Sequence, residues 1–113
     1  FIDVADGIVI VDWEYAGMGD PCFDLANFAI NHELNGEQTR TLLEAYSGEV
    51  REEDERAVVL MRFMSDFREA MWGVVQAAVS ELDVDFAAYA AEHFDRLERT
   101  AASPEFRDAL EAT

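Results

Sequence analysis

The 113-residue chain carries 25 acidic residues against 8 basic ones, a net charge of −17. Such a surface repels nucleic-acid backbones and anionic membranes, so neither is an expected partner. Half of the residues are hydrophobic, which argues against disorder and provides for one core, and no apolar run approaches the ~20 residues needed to span a bilayer. The acidity reads first as a solvated surface, and it also suits a cationic substrate. A single cysteine, Cys22, leaves no internal disulfide and fits a reducing compartment.

In chain order, residues 1–4 and 8–11 are short β-branched runs separated by Ala5-Asp6-Gly7, a hairpin signal because glycine tolerates positive φ. The second run is apolar on both faces, as in a strand covered on both sides. Residues 12–19 read as a loop with two glycines. Asp20-Pro21 reads as an N-cap followed by proline at the first helical position, opening a helix over residues 21–33 that ends at Asn35-Gly36. Leu25, Phe28 and Ala29 share one face of it.

A second helix is expected over residues 37–46, broken by Ser47-Gly48. A long one over 52–82 has an apolar middle nearly all round and is expected to be central and buried. Asp83 is the expected cap for a helix over 84–100, and Ser103-Pro104-Glu105 starts a last short one. The sequence contains no repeat, low-complexity tract or interdomain linker. It therefore reads as one domain portion over 1–113: a hairpin and loop over 1–19, then a helical part over 20–113.

The chemistry concentrates between hairpin and first helix. Asp12 ends a rigid apolar strand and enters a polar loop, a placement that holds a carboxylate still and suits a Mg²⁺ ligand. Val11-Asp12-Trp13-Glu14 is followed by Gly19-Asp20-Pro21-Cys22-Phe23-Asp24-Leu25-Ala26. This pair of motifs, in this order and at this separation, resembles the kinase-like phosphotransferases that include choline/ethanolamine kinases and aminoglycoside phosphotransferases.

The resemblance implies a fold and a set of roles. The fold would be mainly α with an N-terminal β-hairpin, the C-terminal lobe portion of a protein-kinase-like α+β fold. Asp12 would bind the Mg²⁺ that bridges the ATP phosphates, with Glu14 at a second metal position or reaching it through water. Asp24 would brace the catalytic loop. The segment from Ser65 to Gln76 is similar to the helix that lines the choline pocket, which usually has two tryptophans three residues apart. This chain has Trp72 at the second position and Glu69 at the first. Trp72 reads either as a pocket wall, acting by cation–π attraction, or as core packing, and Tyr15 is open to the same two readings.

The family's His-x-Asp-x-x-x-x-Asn catalytic loop and its nucleotide-binding lobe are not in these 113 residues, so the chain alone is expected to be inactive. The expected parent is an ATP-dependent cytoplasmic kinase acting on choline, ethanolamine or a similar amino alcohol. The alternatives are an aminoglycoside-type phosphotransferase or a non-catalytic helical binding module. The expected partners are ATP, a small cationic hydroxyl substrate, and either the rest of the same protein or a second copy. His32 and His93 have no neighbours at metal-ligand spacing and read as surface residues.

Overall fold

Gly7, at φ 140°, reverses the chain after Ala5-Asp6 and sets the register of an antiparallel hairpin. Strands β1 (Ile2–Val4) and β2 (Gly7–Val9) pair Ile2 with Val9, Asp3 with Ile8 and Val4 with Gly7. The structure, a computed structural model, describes residues 2–10 and 17–113. Five helices follow: α1 (Pro21–Asn31), α2 (Gly36–Ser47), α3 (Glu52–Val79), α4 (Phe86–Ala102) and α5 (Pro104–Glu111). The mainly helical architecture behind an N-terminal hairpin is the one the sequence predicts.

Local chemistry sets the helix ends. Asp20 Oδ1 accepts from the Cys22 amide at 2.9 Å and Pro21 occupies the first turn, as expected. Helix α1 stops earlier than expected, at Asn31, where Glu33 turns the chain at φ 52°, and Asn35 belongs to the next helix. Its side chain accepts from the Gln38 amide at 2.9 Å, and Gln38 reaches back to the Asn35 amide at 3.0 Å, a complete capping box for α2. Gly48 closes α2 at φ 82°.

Helix α3 ends at Val79, before the expected 82, and α4 is capped by Asp85 in place of Asp83: Asp85 Oδ1 accepts from the Ala88 amide at 2.9 Å. That later start places Phe86 in the core. Ser103 caps α5, accepting from the Phe106 amide at 3.3 Å.

Helix α3 is the axis, about 42 Å long at 1.5 Å per residue, and all four other helices pack on it. Toward its N-terminal end, Ala26, Leu43 and Val58 form a buried cluster with Cys22, Leu25, Val50 and Met61 against it. Burying Leu43 or Val58 contributes roughly 1.5–3 kcal/mol each. Toward its C-terminal end, Ala70 and Gly73 are buried, and Gly73 lies against Tyr89 and Ala90 of α4.

One expectation fails here. The middle of α3 is not buried all round: Met64, Phe67, Met71, Val74 and Val75 stay 40–52% exposed, and the buried face includes the polar Ser65 and Asp66. In the hairpin, Ile2, Val4, Ile8, Val9 and Ile10 are all exposed, and neither strand packs on a described helix.

Candidate functional site

Asp12, Glu14 and Tyr15 lie outside the described residues. Among the described residues no group of three His, Cys, Asp or Glu side chains could hold a metal ion. Asp24 sits in the first turn of α1, exposed, where a carboxylate is favoured by the helix dipole. One residue earlier, the Phe23 ring lies 5.7 Å from the Arg68 guanidinium of α3, which ties the start of α1 to the central helix. The Cys22 thiol is pushed up by burial and then by Asp20 and Asp54, so it stays protonated and a poor nucleophile.

Glu69 and Trp72 are three residues apart on α3 and therefore share a face. The structure brings them together against α4. The Tyr89 hydroxyl donates to Glu69 Oε2 at 2.6 Å, and the Trp72 ring stands edge-on, 5.6 Å from both Tyr89 and Phe86. Gly73 makes this approach possible: a Cβ there would meet Ala90 Cβ and Tyr89 Cδ1 at 3.0 Å. Burial, and then the Glu69 carboxylate, push the Tyr89 hydroxyl well above its usual range, so it remains a donor. Trp72 packs by its edge on the Phe86 and Tyr89 rings and is 45% exposed.

The sequence reading missed Tyr89 and Phe86. Their signal was present, because Phe86, Tyr89, His93 and Arg96 recur at helical spacing on one face of α4.

His93 is corrected: its side chain is only 12% exposed, and Nδ1 lies 2.8 Å from Asp66 Oδ1. Asp66 is fully buried and also accepts from Arg96, through Nε at 2.9 Å and Nη2 at 2.6 Å. Arg96 further donates to the Ile30 carbonyl at 3.3 Å and to Asn31 Oδ1 at 3.0 Å. Arg62 donates to the Leu34 carbonyl at 3.3 Å. The last turn of α1 contains no basic residue, so cations from α3 and α4 supply the favourable charge at its C-terminal end. His32, by contrast, is exposed as expected and bonds back to the Phe28 carbonyl at 2.8 Å.

The hairpin and the helix that follows it belong to a recognisable class. A sequence model described as the phosphotransferase enzyme family matches residues 1–59, more than half of the chain, and the chain belongs to that family. Within it, the likeness is to choline-kinase-like members with a protein-kinase-like fold. A crystal structure of a choline/ethanolamine kinase family protein from Mesorhizobium loti superposes with a TM-score of 0.83 at 38% identity, over 91% of this chain and 35% of that one. The "Protein LicA homolog" of Metamycoplasma hominis is 51% identical over 45 residues, 40% of this chain and 18% of that protein. The chain thus spans about a third of the first relative's length and less than a fifth of the second's. No described helix is long and apolar enough to cross a membrane.

Proposed function

We propose that the chain is the C-terminal lobe portion of an ATP-dependent kinase that phosphorylates the hydroxyl of choline, ethanolamine or a similar amino alcohol. Family membership supports the phosphoryl-transfer half of this reading. The substrate half rests on one observation: the Glu69 carboxylate held by Tyr89 beside the half-exposed Trp72 ring. A carboxylate and aromatic faces at one mouth are what an organic cation needs.

In this reading Asp12, assisted by Glu14, holds Mg²⁺, which when bound offsets charge on the ATP phosphates. Asp24 braces the catalytic loop from the first turn of α1, and Tyr15 closes the substrate pocket. A catalytic aspartate outside these 113 residues takes the proton of the substrate hydroxyl. The oxygen then bonds to the γ-phosphorus as the bond to ADP breaks. Dependence on ATP fits a cytoplasmic location. The exposed hairpin and the apolar stripe of α3 fit coverage by the rest of the same protein, or by a second copy. The 113-residue chain alone is inactive in this reading.

Glu69 also favours one end of the substrate range. Tyr89 occupies Oε2, and Oε1 has no partner among the described residues. It can accept a hydrogen bond from a primary ammonium, whereas a quaternary ammonium has no N–H to give. This favours ethanolamine, or the amines of an aminoglycoside-type substrate, over choline.

The test is steady-state kinetics of the full-length protein with ATP and each of choline, ethanolamine and an aminoglycoside. Turnover of an amino alcohol, with KM raised by Glu69→Gln, supports the reading. Turnover of the aminoglycoside alone moves the substrate to the alternative class. No turnover of any of the three, with the fold intact, leaves the non-catalytic binding module.

A further inference from the structure

A cleft among the described residues lies away from the Glu69–Trp72–Tyr89 cluster and shares no residue with it. It occupies about 570 Å³ between the C-terminal end of α1, the start of α2, the first half of α3 and the α4–α5 junction. That volume suits a small molecule. Its walls include Arg40, Arg62, Arg96 and Arg99. The chain has only eight basic residues, all arginine, so half of its cations converge on one cleft of a protein with net charge −17.

The four are not equally committed. Arg96 is neutralised by the buried Asp66, and Arg40 pairs with Glu55 at 3.4 Å. Arg62 is half-buried and donates only to the Leu34 carbonyl, with no carboxylate partner among the described residues. Arg99 is exposed and also has none among them. Burial and the neighbouring Arg96 guanidinium both lower the Arg62 pKa, with Asp66 partly opposing them. Asp66 is already committed to Arg96, so a half-buried guanidinium at Arg62 without a carboxylate of its own gains from a further anion. Two exposed glutamates, Glu33 and Glu105, also line the cleft. In water their charge is screened, so they tune an anion's affinity without cancelling Arg62.

We infer that this cleft binds a small phosphate dianion, free or as a phosphomonoester, between the guanidinium groups of Arg62 and Arg99. Two guanidinium charges without carboxylate partners match a dianion, and the fork of N–H donors suits phosphate oxygens. The inference does not depend on the substrate reading, because it uses a separate cleft.

Inorganic phosphate and glycerol 2-phosphate are titrated calorimetrically into the full-length protein at pH 7.5. They are compared across wild type, Arg99→Ala, Arg62→Met and Glu105→Gln, with the thermal midpoint of each recorded. Binding weakened at least tenfold by Arg99→Ala and by Arg62→Met, and tightened about twofold by Glu105→Gln, supports the site. Binding of the ester but not of free phosphate assigns the site to phosphomonoesters. Should Arg62→Met unfold, Arg99→Ala decides alone, since Arg99 is exposed and outside the core. Equal affinity of wild type and Arg99→Ala for whichever ligand binds, or no binding of either ligand, overturns the inference.

Discussion

The α3–α4 interface holds two polar clusters built from similar parts, and they have opposite fates. At Asp66 the carboxylate is fully buried and accepts from both His93 and Arg96. One turn along, Glu69 accepts from a single donor, Tyr89, beside the half-exposed Trp72. The first cluster is closed to solvent with its buried groups partnered from within, and acts as a brace. The second has a carboxylate oxygen with no partner among the described residues beside a half-exposed ring, and it is there that the substrate is proposed to bind. Completeness of hydrogen bonding, more than residue type, separates the two.

Breaking the brace is expected to have the largest effect. Asp66→Ala strands Arg96 and His93 at a buried site and should cost about 3–5 kcal/mol, read from urea denaturation. An unchanged midpoint would mean that the cluster is not structural. Next, in the full-length protein, Asp12→Asn should lower turnover by on the order of a hundredfold and be partly rescued by raised Mg²⁺ or by Mn²⁺. Asp24→Asn should instead lose activity together with thermal stability, without metal rescue. Equal rescue of both variants would erase the distinction between ligand and brace.

A smaller effect is expected at Gly73, where both clusters depend on how closely the helices approach. Gly73→Ala gains about 1 kcal/mol of helix propensity and loses about 1–3 to overpacking against the Ala90 backbone and Cβ. The net loss should be about 1 kcal/mol, accompanied by a higher KM for the amine because Tyr89 is displaced from Glu69. A stabilised variant with unchanged KM would contradict that geometry.

The smallest effect concerns pH. The Tyr89 hydroxyl titrates above its unfolded value of about 10, chiefly through burial and then through Glu69. The folded state therefore favours the proton. The resulting stability is fully present below pH 10 and is lost as the pH climbs toward the folded-state value. Denaturation midpoints should fall from pH 9 to pH 11 more steeply in wild type than in Tyr89→Phe. Parallel slopes would show that Tyr89 is not held as described.

The hairpin and the helical order were legible in the sequence because turn and cap residues announce themselves locally: Asp6-Gly7, Asp20-Pro21, Gly48 and Ser103-Pro104. The failures arose where two candidates competed or where a partner was distant. Asp83 and Asp85 are equally good caps in isolation, and only the burial of Phe86 chooses between them. Asn35-Gly36 could end one helix or begin the next, and the Gln38 side chain decides. His93 looked like a surface residue because its partner Asp66 is 27 positions away. Glu69 and Trp72 were legible only through the likeness of residues 65–76 to a choline-pocket helix, whereas Tyr89 had to be brought in by the packing of α4.

Arg96 links three helices through side-chain and carbonyl bonds, and this determines how the protein breathes. The end of α1 cannot loosen without also loosening the middle of α3 and α4, so these segments should open as one cooperative unit. Their amide protons should exchange with deuterium at a common, slow rate, while those of the hairpin, which no described helix touches, exchange far faster.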